Sequence, residues 1–333
     1  MKKVSKLIAL LLSLAMCAAL AACGSDGGAG STPAAAASGS SNAGTAAASG
    51  DVIKIGGIFN VTGDQASLDG PEQKGFELAV KQINEQGGNG RKVEATYYDG
   101  QTDQTVCANN AKKLIDNDGV LAIAGLSDSD YAYAAGAVAQ EAGVPIVFSG
   151  ATTPDIPSTV GDCAFLTAFG DDVDAYAAAG YVYDVLGART AYVLTDKSMS
   201  FTTHLSDYFT QKFEELGGKV ILTDNFSSGD YDFSAQIARY QSNGEADVMF
   251  MATGPDDAST VIEQFRGAGI TAPMISGDGW DTDLWGVAGD LANQDIYVCT
   301  HYSADDKSDV VQNFISAYTE EYGSAPENAF AAL

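Results

Sequence analysis

From Asp51 onward the chain alternates strand-like and helix-like segments, and it runs through that alternation twice. Val52–Phe59 is an apolar run of strand length, followed by a loop over 60–70. The spacing then predicts a helix over 71–85, with Phe76, Leu78, Ala79, Val80 and Ile83 on one buried stripe. Pro71 suits its first turn, and Gly87-Gly88 ends it. A strand over 92–98, a helix over 102–116, a continuously apolar strand over 120–124, a helix over Ser129–Ala142 and a strand over 145–148 complete the first round. After Asp171 the rhythm restarts with a helix reaching Leu186. Strands over 191–195, 219–222, 247–251 and 273–276 then alternate with helices over 202–216, 233–241 and 256–267. Strands that are apolar on both faces must be covered on both faces, which is the condition of a parallel sheet between helices. Two rounds therefore predict two α/β lobes of similar design. A ligand site is expected at the carboxyl ends of the strands, in the cleft between the lobes.

The N-terminal 50 residues follow different rules. A basic start with Lys2, Lys3 and Lys6 leads into an apolar run over 7–20, which ends at Ala21-Ala22-Cys23. A basic stretch, a short apolar core and small residues before a cut make a secretory signal. The run is short for a membrane span, which needs about 20 residues. Leu-Ala-Ala-Cys resembles the lipobox of bacterial lipoproteins. That resemblance implies removal of residues 1–22, lipidation of Cys23 and attachment to the extracytoplasmic face of the cell membrane. Residues 24–50 contain no aromatic or large aliphatic side chain. Such a segment cannot bury enough apolar surface to fold, so 23–50 is expected to be a disordered tether spanning roughly 30 Å.

Charge narrows the range of partners. Loss of Lys2, Lys3 and Lys6 with the signal takes the formal charge from −27 to −30. A surface this acidic repels phosphate backbones and excludes nucleic acid as a partner. Cys107 reads as a buried small hydrophobe in a helix. Cys163 and Cys299 lie at apolar strand-like runs, where a disulfide is permitted outside the cell. No metal-ligand spacing is present, no cofactor is implied, and His204 and His301 read as surface or hinge residues rather than ligands. No G-x-S-x-G, H-E-x-x-H, P-loop or G-x-G-x-x-G motif occurs, so an enzyme is not expected.

Four stretches carry a family resemblance: IKIGGIFNVTGDQASLDGPEQKGFELAVKQINEQGG, GVPIVFSGATTPDI, GDGWDTDLWGVAGD and FISAYTEEYGSAPENAFAAL. In this order they resemble the branched-chain amino acid (Leu/Ile/Val)-binding proteins, the substrate-binding components of ABC transporters. The resemblance implies the type I periplasmic-binding fold: two hinged Rossmann-like lobes, each a parallel sheet flanked by helices, closing on a small ligand. It puts lobe 1 at 51–169 and 302–333 and lobe 2 at 170–301. In the family the chain continues past the position of Leu333, so a C-terminal part is expected to be missing here. A monomer delivering an amino acid to a membrane permease follows from the resemblance, with Glu72, Glu77, Asp256 and Asp257 as candidate surface carboxylates for docking. A ligand-sensing receptor of the same fold is the alternative, because fold does not fix function.

The resemblance also carries site residues. Ser129 falls where the family binds the ligand carboxylate, at a helix start whose unpaired amides attract anions; residues 127–130 also suit a simple helix cap. Ala151 matches a position whose carbonyl accepts from the ligand ammonium. Thr152 matches a threonine that contacts both charged ends, with Thr153 as the register alternative. Asp278 matches the acidic partner of the ammonium, a charge-assisted bond. Phe201 matches an aromatic wall over the ligand, and Trp280 is either a second wall or a core aromatic. Leu68 and Gly254-Pro255 replace aromatic positions of leucine binders. Asp128 and Asp130 add negative charge beside the proposed carboxylate site, so classical leucine/isoleucine/valine selectivity is not expected, and a polar or amine-bearing amino acid, or a small amide, stays open.

Overall fold

Strand β1 (Val52–Phe59) organises the first of two sheets in the computed structural model, which describes residues 52–333. The expectations for residues 1–22, for Cys23 and for the 23–50 tether lie outside the described residues. Around β1 stand β2 (Lys92–Asp99), β3 (Ala122–Gly125), β4 (Ile146–Phe148) and β5 (Ala164–Leu166), in the order β2-β1-β3-β4-β5. Every pairing in this sheet is parallel. The second sheet contains β6 (Thr190–Asp196), β7 (Lys219–Phe226), β8 (Val248–Ala252), β9 (Met274–Ser276) and β10 (Ile296–Val298), in the order β10-β9-β8-β6-β7 and again all parallel.

Helices α1 (Ala66–Glu85), α2 (Gln104–Lys113), α3 (Ser129–Ala142) and α4 (Ile156–Val160) belong to the first round. The second round holds α5 (Asp171–Gly180), α6 (Ser200–Glu215), α7 (Ser234–Asn243), α8 (Pro255–Gly267) and α9 (Trp285–Ala288), and α10 (Asp309–Tyr322) follows. The two faces of the second sheet show why a parallel strand must be apolar throughout. Along β6, Tyr192 and Leu194 enter one core with Phe265 and Met274, whereas Ala191 and Val193 enter the other with Phe209 and Phe250. Phe209 stacks on Phe250 at 3.9 Å between ring centroids. On α5, Ala175, Ala178 and Ala179 are fully buried and bring that helix close to its neighbours.

Helix α1 departs from expectation. It begins at Ala66, so Pro71 lies inside it rather than in its first turn. Proline lacks the N–H that would bond the carbonyl of Ser67 four residues earlier. That carbonyl instead accepts from Asn328 Nδ2 at 2.8 Å, so the missing donor is replaced from the C-terminal segment. The expected stripe is also only partly buried: Leu78 is covered, but Ala79 is exposed and Ile83 is 43% exposed. Phe76 and Ala79 instead border an apolar groove shared with Ala331 and Leu333. A 3-10 turn (Ala329–Ala332) and α10 pack back on α1. Tyr322 Oη donates to Lys74 O at 2.7 Å, and Lys74 pairs with Glu327 at 3.2 Å.

The thiols of Cys107, Cys163 and Cys299 are all free, so the permitted Cys163–Cys299 pairing is not made. Cys163 precedes β5 in the first sheet and Cys299 follows β10 in the second, so the two sulfurs belong to different lobes. No helix among the described residues is long and apolar enough to cross a membrane.

Candidate functional site

The strand ends of the first sheet are shaped by a backbone bend. Gly125, the last residue of β3, has φ 122°, and a side chain there would run into the carbonyl of Ile58. Leu126 follows at φ 71°, a left-handed conformation that costs a non-glycine residue about 1–3 kcal/mol. The bend delivers Ser127 and Asp128 to the cleft just before α3 begins. Asp128 caps that helix, its Oδ1 accepting from Asp130 N at 2.9 Å.

Two buried carboxylates in the first turns of α1 hold these loops. Asp69 accepts from the backbone N–H of Asn60 at 2.5 Å, from Ser127 N at 3.3 Å and from the Ser127 hydroxyl. Glu72 accepts from the Ser149 hydroxyl after β4. Burial raises Asp69 to about 6, the serine and backbone donors opposing it. Burial and then the charge of Asp69 push Glu72 well up. Glu72 is 2% exposed and Asp257 is 1% exposed, so neither is a surface carboxylate available to a permease. Glu77 is half-buried and takes a hydrogen bond from Gln73, and Asp256 is exposed.

Between the sheets lies a narrow cleft. Ser127, Asp128 and Thr152 line it from one side, and Met199, Phe201 and Asp278 from the other. Three of the six residues expected at a site, Thr152, Phe201 and Asp278, therefore meet there. The other three stand behind the surface. Ser129 is 1% exposed, and its hydroxyl donates to Thr153 Oγ1 at 2.8 Å. Thr153 in turn donates to Asp171 Oδ2 at 2.9 Å. Ala151 is fully buried in the core of the first sheet. Trp280 sits in the core of the second sheet, its indole N–H donating to Thr253 Oγ1 at 2.7 Å.

Asp278 is locked from two directions. Its backbone N–H donates to Asp174 Oδ2 at 3.2 Å, and its carboxylate meets His301 Nε2 at 2.9 Å. The His301 side chain is buried, which rules out the surface half of the surface-or-hinge expectation, and it lies on the irregular segment between β10 and α10. Phe169 lies tilted against its ring at 4.4 Å and Phe330 meets it edge-on at 5.4 Å. Phe169, His301 and Phe330 come from three chain segments far apart in sequence, which is why no local pattern announced them. His204 is 38% exposed, with Nδ1 3.5 Å from Thr153 Oγ1 and 3.9 Å from Asp171.

The electrostatics are one-sided. Burial raises Asp128 to about 7, reinforced by Asp130. Burial also raises Asp171 to about 7 and pushes Asp174 well up, with Asp278 adding to both. Asp171 Oδ1 and Asp174 Oδ1 are buried without a partner. No lysine or arginine lines the cavity. A site of this character suits a ligand with a positive group. One contact already joins the two sides: Ser200 Oγ donates to Asp130 Oδ1 at 2.6 Å, and Ser200 N to Oδ2 at 3.3 Å. No group of three His, Cys, Asp or Glu residues able to hold a metal occurs among the described residues.

Comparison with known proteins bears on the fold and the family. An amino acid binding protein of Pseudomonas aeruginosa is 29% identical over 223 residues, which are 67% of this chain and 59% of that protein. Leu/Ile/Val-binding protein homolog 1 of Brucella abortus is 32% identical over 232 residues, 69% of this chain and 62% of that protein. The matches thus span about three-fifths of these relatives' own length. The branched-chain amino acid transporter substrate binding protein LivJ of Streptococcus pneumoniae, solved in complex with isoleucine, superposes with a TM-score of 0.75 at 27% identity, over 84% of this chain and 81% of that one. The profile of the periplasmic binding protein family matches residues 52–333, and the chain belongs to that family.

Proposed function

We propose that this protein is an extracytoplasmic solute-binding lipoprotein of an ABC importer, not an enzyme, and that it captures an amino acid between its lobes. The observation that carries the reading is the cavity in which the buried Asp278 carboxylate stands across from the strand-end residues Ser127 and Thr152. In this reading the ammonium of the ligand rests on Asp278. Its carboxylate meets Thr152, Ser127 and the amides at the start of α3, where the helix dipole favours negative charge. Phe201 packs over the ligand. Ser129 holds Thr153 and so steadies the loop after β4, Ala151 offers its carbonyl to the ammonium, and Trp280 backs the wall from the core. The lobes, 51–169 with 302–333 and 170–301, hinge where the chain passes between the sheets.

Outside the described residues, Cys23 carries the lipid that holds the protein at the extracytoplasmic face, and 23–50 forms the tether. The partner is a membrane permease, which receives the ligand from a monomer. The relatives named for amino acids support the solute class, and Asp278 supports an ammonium-bearing one. A thermal-shift screen of the amino acids tests this. A ligand at a hundredfold excess over its dissociation constant stabilises the protein by about 2.7 kcal/mol. No shift from any amino acid would overturn the reading.

A further inference from the structure

The stretch that leaves β10 for α10 is bonded at three successive residues to aspartates on the second-sheet side. The Cys299 thiol meets Asp174, Thr300 Oγ1 donates to Asp281 Oδ2 at 2.6 Å, and His301 Nε2 meets Asp278 Oδ2 at 2.9 Å. Asp174 and Asp278 belong to the site already described. Asp281 does not line the cleft. It follows the 3-10 turn Asp278–Trp280, and its backbone N–H donates to Asp278 O at 2.8 Å.

The same Oδ2 takes a second donor, Ala329 N, at 2.8 Å. Ala329 opens the turn that packs on α1 beside the first sheet, and Phe330 in that turn lines the cleft. One oxygen therefore holds two segments that come from opposite sides of the cleft. A carboxylate accepts such bonds more strongly than a neutral oxygen does. Burial pushes the Asp281 carboxyl up, and the Thr300 and Ala329 donors oppose that by favouring its ionised form. Each donor also stands next to a residue that shapes the cleft. Thr300 precedes His301, which holds Asp278. Ala329 precedes Phe330, and the His301 and Phe330 rings meet edge-on at 5.4 Å.

We propose that Asp281 is a positioning residue for ligand capture: it pins Thr300 and Ala329 to one point and so sets where Asp278 and Phe330 stand when the two sides close on a ligand. It acts through His301 and Phe330 from outside the cleft. This rests on the capture reading above and adds to it a residue that shapes the site without lining it. A bond that served stability alone would leave ligand binding untouched once the protein is folded.

The test compares the full chain with Asp281→Ala, Asp281→Asn, Thr300→Val and, as a control, Phe213→Leu, a core substitution at the end of α6 remote from Phe201. Two quantities are read: amide hydrogen exchange of ligand-free protein, and the rise in melting temperature caused by a mixture of the twenty common amino acids, each at about 1 mM. Each rise is taken from that variant's own ligand-free value. Asp281→Ala should exchange faster at Ala329 and bind about tenfold or more weakly, the scale of a hydrogen bond to a charged group. A tenfold loss of affinity shrinks the rise by about 3–6 °C. Asp281→Asn keeps an oxygen acceptor and should fall between Asp281→Ala and the parent. Phe213→Leu should melt earlier yet keep the parent's rise.

Thr300→Val removes one donor and leaves Asp281 in place, so it carries the test if Asp281→Ala fails to fold; its rise should shrink by a smaller amount. A rise equal to the parent's in Asp281→Ala, or in Thr300→Val where only that variant folds, would overturn the proposal and leave the capture reading intact. An equal shrinkage in Phe213→Leu would overturn it by assigning the effect to stability. Asp281→Asn losing as much as Asp281→Ala would overturn it by assigning the effect to charge. Unchanged exchange at Ala329 in Asp281→Ala would show that no pin exists there. No rise in the parent would instead overturn the underlying function.

Discussion

Cutting His301 back to alanine removes three things at once, and each has a size. The first is the Nε2 hydrogen bond to Asp278 at 2.9 Å, a bond to a charged group worth about 1.5–3 kcal/mol. The second is ring packing against Phe169 at 4.4 Å and Phe330 at 5.4 Å, each worth about 0.5–1.5 kcal/mol. The third is a penalty, because Asp278 is 2% exposed and its carboxylate would lose its bonded partner inside the protein. Breaking a buried pair by removing one member costs about 3–5 kcal/mol, and we expect His301→Ala to fall in that range. For a protein of this size, about 2–4 °C of melting temperature goes with each kcal/mol, so the drop should be about 6–20 °C. A double-mutant cycle with Asp278→Ala separates the bond from the packing. The double variant should be less destabilised than the sum of the singles by about 2 kcal/mol, as for residues that share one interaction. Thermal denaturation of the four proteins without ligand is the assay. Additive losses, or a His301→Ala protein melting within about 2 °C of the parent, would show that Asp278 is not held by His301.

Other features predict as directly. Asp69 and Asp257 are raised to about 6, and Asp128 and Asp171 to about 7, all chiefly by burial. A raised folded pKa means that the folded protein holds protons the unfolded chain gives up near the ordinary value of 3.8. Stability is therefore greatest below that value and lost as pH rises through 6 to 7, so the ligand-free melting temperature should be higher at pH 5 than at pH 8; a higher value at pH 8 would contradict these shifts. Ser200→Ala removes the hydroxyl donated to Asp130 across the cleft, worth about 0.5–1.5 kcal/mol, and should raise the ligand dissociation constant about three- to tenfold by calorimetry. Gly75 lies so close to the carbonyl of Ala331 that any side chain collides with it. Gly75→Ala should cost about 1–3 kcal/mol in thermal denaturation, with faster hydrogen exchange over Ala329–Ala332 as that turn lifts from α1.

The alternation of apolar strands and helices made the two parallel sheets legible, because a strand buried on both faces leaves an unmistakable run such as Val248–Ala252. The short edge strands Ala164–Leu166 and Ile296–Val298 left no comparable signal, since three residues carry no periodicity. The start of α1 was misplaced because Pro71 reads as a first-turn residue, and only the distant Asn328 explains its tolerance. At the site, resemblance to a family led to Thr152, Phe201 and Asp278, which do line one cavity, and to Ser129, Ala151 and Trp280, which support it from behind. Asp69 went unnoticed, Glu72 was placed on the surface, and His301 was given as a surface or hinge residue. Their roles come from burial, and burial of a charged residue depends on tertiary packing that spacing does not encode.

The account stands or falls on what occupies the space between Thr152 and Asp278. A crystal structure of protein purified without denaturation and supplied with the best ligand of the screen addresses it directly. The account predicts density for an amino acid whose ammonium lies about 3 Å from the Asp278 carboxylate and whose carboxylate faces Ser127 and Thr152. A ligand bound elsewhere, or one in the cavity with its ammonium turned away from Asp278, would contradict it.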